Sequence, residues 1–257
     1  MGESSVRAPD GPSLESLVES GVLEVESLHP GGLLLTAALA SVCGITRSTR
    51  VLDVACGTGE SACFLAERLG AEVCGIDSSE RLLEQARAKA AGRALSVEFV
   101  RGTAENLPFA TAMFDVAICE CTLCLLDKAA VLGEMARVVR PSGRVGMHDL
   151  YWTQGAPESL KQRLERIEGE RPELLEGWIH LFTGAGLMDV QAVDESQRKR
   201  EWLRDTHRQL GVAGLLKVGR YTVRRWGLLG LWRILESERT FASRHLGYAI
   251  VHGRCAA

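Results

Sequence analysis

The strongest constraint on this chain is an alternation between residues 50 and 150, where short apolar runs take turns with helix-length amphipathic stretches. A strand over Arg50–Ala55 precedes a helix over Glu60–Leu69 that Gly70 closes. A second strand over Glu72–Ile76 leads to a helix capped by Ser79 and ended by Gly92. Strands over Val97–Arg101 and Phe114–Cys119 follow, and Asp127 opens a helix that the Pro141-Ser142-Gly143 turn terminates. A fifth strand occupies Arg144–Leu150. Strands separated by helices of this length pair in parallel, because only a crossover helix returns the chain to the same edge of the sheet. The expected fold is α/β: a mostly parallel sheet with helices on both faces.

Beyond residue 150 the pattern is sparser. A helix within "PELLEGWIHLFTGAGL", a strand over Met188–Asp194 and a last strand in "LGYAIVHGRC" complete the core. The intervening fifty residues are helical by pattern and contain Trp202, Trp226 and Trp232. Adjacent strands rarely need so long a connection, so it is expected to be an insertion. Upstream, Ser13–Gly21 and Leu33–Cys43 are expected to be short helices flanking the turn "HPGG". The organisation expected is therefore a polar lead-in over 1–28, a core over 29–195, a basic helical insertion over 196–245, and the final core strand over 246–257.

Composition narrows the class. No apolar run approaches the ~18 residues of a membrane span, and the polar, proline-broken start "MGESSVRAPDGPS" is unlike a signal peptide. A cytoplasmic protein is expected. Eight cysteines lie in a chain neither small nor visibly secreted, and no CxxC pair recurs at zinc spacing, so no structural metal is expected. The net charge of −3 is uneven. Residues 196–245 hold twelve Lys or Arg against four Asp or Glu, a surplus of eight.

Chemistry first shows in "VLDVACGTGE", residues 51–60. A glycine turn after the first strand lets backbone N–H groups approach a ligand beside a helix N-terminus. Gly57-Thr58-Gly59 with Ala62 loosely fits a dinucleotide turn, and Asp77 at the end of strand two suits a ribose. A nicotinamide-dependent oxidoreductase would satisfy both. The order "DVACGTG", "VCGID", "GTAENLPF", "FDVAICECTLCLL", "VVRPSGR" goes further. It resembles the class I S-adenosylmethionine (SAM)-dependent methyltransferases, in particular the small-molecule branch with the ubiquinone/menaquinone C-methyltransferases. The resemblance spans residues 29–150, and 172–195 more loosely.

The resemblance implies a Rossmann-like fold with a seven-stranded sheet, SAM as cofactor, S-adenosylhomocysteine as product and a small-molecule methyl acceptor. Gly57 and Gly59, with Ala55 and Cys56 in the same turn, would lie against the methionine part of SAM. Asp53 would orient that loop and offset the ligand's positive charge, whereas a buried acid there would repel a pyrophosphate. Asp77 would bind the ribose hydroxyls. Thr103, Ala104 and Glu105 would meet the adenine, with Ser78 flanking it, and Cys119 or Glu120 would lie beside the methionine tail and methyl.

For the acceptor, the carboxyl ends of strands four and five supply Cys121, Cys124, His148, Asp149 and Tyr151, and "HPGG" supplies His29. His148, Cys121 and Glu120 are the catalytic candidates. His148 and Asp149 would form a base pair only if the strand had ended, since neighbours on a strand point to opposite faces. The run "CECTLC" also resembles arsenite methyltransferases, which would use Cys121 with Cys56, thiolates suiting a soft metalloid. A non-catalytic SAM-binding protein is a further alternative. The insertion is expected to be a lid. Its interleaved Trp, Leu and Arg would also suit a membrane surface or a hydrophobic acidic substrate. No aromatic-basic nucleic-acid motif occurs, so no nucleic-acid partner is expected. Oligomeric state is not encoded in any motif.

Overall fold

A computed structural model describes residues 11–13, 16, 17, 20–22 and 32–257. His29, the "HPGG" turn and most of the 1–28 lead-in fall outside the described residues.

The strands are β1 (Arg50–Val54), β2 (Glu72–Asp77), β3 (Glu98–Arg101), β4 (Phe114–Glu120), β5 (Val139–Trp152), β6 (Glu173–Leu174), β7 (Leu187–Asp194) and β8 (Leu246–Cys255). Seven of them form one sheet in the order β3-β2-β1-β4-β5-β8-β7, and the two-residue β6 pairs with β5 off this path. All pairs are parallel except those of β8, which runs antiparallel to β5 and β7. The chain starts in the middle at β1, winds outward to β3, then returns to β4. The order therefore reverses between β1 and β4, and crevices at such reversals are where open α/β sheets bind ligands.

The helices are α1 (Gly32–Val42), α2 (Glu60–Phe64, continued as a π-helical turn over Leu65–Leu69), α3 (Glu80–Gly92), α4 (Lys128–Val138), α5 (Glu158–Glu168), α6 (Leu175–Gly184) and α7 (Ser196–Phe241). Gly70 closes the second helical stretch in the left-handed region. Ser79 Oγ accepts the Leu82 N–H, and Asp127 Oδ1 accepts the Ala130 N–H, the two N-caps expected from sequence. Alternation along β5 assigns the layers. A side chain at Gly146 would run into Cys43 and Leu39 on the α1 side. Cys255, two residues along the opposite row of β8, points its sulfur at the Ala136 carbonyl of α4. Helices thus cover both faces, as the parallel pattern requires.

One expectation is corrected, and three features go beyond those expected. Pro141-Ser142-Gly143 is not a turn outside the sheet. β5 already starts at Val139, and the register slips from Phe114↔Val139 to Val116↔Arg144, so the three residues form a bulge. Gly143 is needed there, because a Cβ would lie 2.5 Å from the Asp115 carbonyl oxygen. Gly92 is the last residue of α3, as expected, and Ala94 just beyond it takes the left-handed conformation. Helix α5 and strand β6 were not anticipated. The insertion is helical but broken at Gly211 (φ 55°, ψ −173°) and Gly227 (φ 70°, ψ −166°), a region open essentially only to glycine. It packs on α5 and β8. Among the described residues no helix is long and apolar enough to cross a membrane.

Candidate active site

The glycine turn between β1 and α2 is built by backbone strain that its residues tolerate. Ala55, Gly57 and Gly59 all have positive φ, at 57°, 53° and 71°. Gly59 has no alternative, since a Cβ would sit 2.8 Å from both Ala86 and Phe99. Around Gly57 a Cβ would meet nothing within 4 Å, so that residue faces open space. The Cys56 N–H donates to the Ile76 carbonyl at 3.0 Å, and its carbonyl accepts the Gly59 N–H at 2.9 Å. Asp77, ending β2, ties the turn down. Its Oδ2 accepts the Gly57 N–H and its Oδ1 the Ser79 N–H, both at 2.9 Å. Each oxygen retains a lone pair for a further donor.

The expected adenine segment stands beside this carboxylate. The Gly102 N–H donates to the Asp77 carbonyl, and Thr103 bridges to Asn106, folding 103–106 into a tight turn. Within it Thr103 is exposed, Glu105 half-buried and Ala104 buried; Ser78, across the gap, is exposed.

Asp53, 2% exposed, lies one register step before the turn and opposite Gly75 and Ile118. Its Oδ2 has no hydrogen-bond partner. Burial, then the Glu120 and Asp77 carboxylates, push its carboxyl well above the usual range, against an N–H from Ala62. Three acids therefore crowd one crevice, and one buried oxygen is unsatisfied.

The three catalytic candidates come together on the next strands. Glu120 and His148 are register partners across β4 and β5. Glu120 Oε2 takes hydrogen bonds from Ser61 at 2.8 Å and Thr36 at 3.0 Å, and lies 2.9 Å from His148 Nε2. His148 Nδ1 is 2.7 Å from the Tyr248 hydroxyl, which in turn contacts the Cys121 sulfur. His148 and Tyr248 are fully buried, whereas Cys121 is half-buried and strained at φ 54°. Burial raises the Cys121 thiol well above its ordinary pKa and does the same to Tyr248. The row runs from a partly open thiol to a buried carboxylate.

His148 and Asp149 do not form a pair, because β5 continues past them to Trp152. Asp149 faces the opposite layer and accepts the Cys124 N–H at 3.0 Å. Cys119 and Cys124 are buried, with burial holding both thiols protonated. Tyr151 reaches Ser196 at the start of α7 at 3.4 Å. Cys56 and Cys121 follow the neighbouring strands β1 and β4, each two residues past the Val54↔Cys119 register pair. The Cys56 sulfur would touch a Cβ at Gly75 on β2 at 2.8 Å, while Cys121 contacts groups on β5 and β8. Among the described residues no group of three His, Cys, Asp or Glu is arranged to hold a metal.

Sequence reasoning missed Tyr248, Thr36 and Ser61. Ser61 follows the glycine turn by one residue pair and was readable as a neighbour. Tyr248 lies 100 residues from His148, and nothing in its spacing announces antiparallel pairing with β5.

Comparisons with known proteins agree with this geometry. Residues 51–143 match the model of a methyltransferase domain family. The methyltransferase GfsG of Streptomyces halstedii is 34% identical over 202 residues, covering 75% of this chain and 68% of the relative. Haemonchus contortus phosphoethanolamine N-methyltransferase 2, solved with S-adenosylhomocysteine, superposes with a TM-score of 0.79 at 17% identity and 95% coverage of this chain. The chain spans 58% of that enzyme's length. The [4+2]-cyclase SpnF superposes with a TM-score of 0.77 at 22% identity, covering 97% and 98% of the two chains.

The crevice fits the cofactor of the family. A cationic nucleoside would meet three acids there, the open space at Gly57 would admit its main-chain-like end, and the unsatisfied Asp53 Oδ2 would gain a positive partner. The chain belongs to the class I S-adenosylmethionine-dependent methyltransferases, and S-adenosylmethionine is its cofactor.

Proposed function

We propose that this protein transfers a methyl group to a small acceptor bearing an acidic proton, and does so in the cytoplasm, where eight free cysteines stay reduced. The observation that carries the cofactor side is the unsatisfied buried oxygen of Asp53 within a cluster of acids. A nicotinamide dinucleotide would bring a pyrophosphate against that cluster, so the oxidoreductase alternative is disfavoured by Coulomb repulsion. In this reading Asp53 offsets the cofactor's positive charge and Asp77 takes the ribose hydroxyls on its spare lone pairs. Gly57 and Gly59 allow backbone contact, aided by Ala55 and Cys56. Thr103, Ala104, Glu105 and Ser78 frame the adenine, and Cys119 closes the floor.

When bound, the sulfonium supplies an activated methyl, so in-line alignment and water exclusion supply most of the acceleration. The chain's own residues move the proton. With the proton of neutral His148 on Nε2, 2.9 Å from Glu120 Oε2, its Nδ1 accepts from Tyr248 O–H, and the Tyr248 oxygen accepts from Cys121 S–H. A proton lost by the acceptor at the Cys121 end thereby ends on His148, as an imidazolium held against the Glu120 carboxylate. Helix α7 serves as the lid over this end of the sheet, where a hydrophobic acceptor or a membrane surface would meet its outer side.

Calorimetry with SAM and with NADH tests the cofactor: tight NADH binding without SAM binding refutes the reading. Release of S-adenosylhomocysteine on incubation with candidate acceptors separates an enzyme from a SAM-binding sensor. The [4+2]-cyclase neighbour is evidence that this fold hosts other reactions. Acceptor consumption without S-adenosylhomocysteine would put this chain in that class.

A further inference from the structure

Helix α7 has two unlike long faces. Thr222, Gly230 and Thr240 are buried, and a Cβ at Gly230 would meet Trp226 and Thr222 of the preceding segment and Pro12. The opposite side of the segment 212–226 carries Val212 (76% exposed), Leu216 (61%) and Val223 (38%), spaced by four and seven residues on one stripe. The next segment, 228–241, repeats this with Leu228 (76%), Trp232 (47%) and Leu235 (45%). Scattered exposed leucines need no explanation, but two aligned stripes on consecutive segments do. The cations follow the same geometry. Lys217, Arg220 and Arg224 recur at three and four residues along the flank of the first stripe, exposed, and Arg225 is exposed beside them. Across residues 206–235 the sequence contains no Asp or Glu at all.

We propose that the outer face of 212–235 docks this enzyme on an anionic lipid surface. The charge pattern selects this occupant. A second copy of the chain on a two-fold axis would set one acid-free cationic face against another, so self-association is opposed by like charges. Among the described residues none covers these side chains. An anionic bilayer satisfies both parts at once: leucines and Trp232 enter the acyl boundary while the arginines meet headgroup phosphates. The helix lies in the surface and does not cross it, in keeping with its charge and its glycine breaks. This deepens the lid reading, since a lid resting on lipid would open toward acceptors dissolved there.

The test is co-sedimentation of the full chain with phosphatidylcholine vesicles and with vesicles containing one part in four phosphatidylglycerol. Expected is binding to the anionic vesicles, little to the neutral ones, and loss at high salt, because surface charge is screened there. Arg220→Glu with Arg224→Glu should weaken binding by roughly tenfold or more, and Leu216→Ser with Leu228→Ser should weaken it comparably. Circular dichroism and SAM calorimetry on the same variants should match the parent, which separates loss of docking from loss of fold. Equal partitioning of parent and variants, no anionic preference, or tighter binding to duplex DNA than to lipid would overturn the proposal. A dimer that Leu216→Ser with Leu228→Ser dissociates would overturn it in favour of a second copy. None of these outcomes depends on methyl transfer, so failure of the SAM reading would show separately in the calorimetry.

Discussion

Asp53 and Glu120 sit at the carboxyl ends of neighbouring strands, on the same face of the sheet, and both are nearly excluded from water. Their surroundings differ completely. Glu120 Oε2 accepts hydrogen bonds from Ser61 and Thr36 and has the His148 ring 2.9 Å away. Asp53 has a backbone N–H from Ala62, two further acids nearby and an unsatisfied oxygen. A buried charge with partners built in is a fixed part of the structure. One without them costs stability until a ligand supplies the opposite charge. Under the proposed function, the contrast would divide the crevice into a half that takes the cation and a half that holds and moves a proton.

Five substitutions would break or sharpen that contrast. The largest effect is expected from Gly59→Val, which places a branched side chain on Ala86 and Phe99 in a left-handed conformation. Chemical denaturation should show a loss of roughly 2–5 kcal/mol. Gly57→Ala, facing open space, should cost only about 1–2 kcal/mol of stability yet weaken SAM binding. Equal stability of the two variants would contradict the turn geometry.

Asp77→Ala is expected to reduce SAM affinity by about 1–3 kcal/mol in calorimetry, through lost charge-assisted hydrogen bonds. Unchanged affinity would move the ribose elsewhere.

Asp53→Asn should act in two directions. SAM affinity should fall roughly tenfold, about 1.4 kcal/mol, while the unliganded protein becomes more stable at alkaline pH. The sign follows from linkage. A carboxyl whose pKa is raised on folding holds a proton that the unfolded chain has lost, so stability falls as pH rises from the ordinary carboxylate range toward the raised value. Asparagine cannot ionise and escapes that loss. SAM affinity of the parent should rise over the same window, as Asp53 becomes charged. A Tm difference between parent and variant that is flat with pH would show that Asp53 does not titrate there.

The smallest effect on the cofactor is expected from Tyr248→Phe. SAM affinity should be unchanged, turnover should fall roughly fivefold from one lost hydrogen bond, and the acid limb of the pH–rate profile should move. Weakened SAM binding would mean that the two halves of the crevice are not separate.

The legible part of the molecule was the part with local grammar. The βαβ alternation, the Ser79 and Asp127 caps, Gly70 and the glycine turn follow from propensity and backbone rules acting over a few residues. Pro141-Ser142-Gly143 shows the limit. The same three residues suit a turn or a bulge, and only the strand pairing of β4 with β5 decided for the bulge. Helix α5 was missed because "ESLKQRLERIE" follows no motif, although its polarity and spacing suit a surface helix.

From the amino acids alone came the mostly parallel α/β sheet, the glycine turn after the first strand and the acids Asp53 and Asp77 assigned to it, because each depends on periodicity or on short local motifs. Tertiary structure alone decided that His148 lies beside Glu120 and not Asp149, and that Tyr248 completes the row. Those outcomes depend on strand order and register between segments up to about a hundred residues apart. Pairing of that kind is set by the packing of the whole sheet, which no local spacing records.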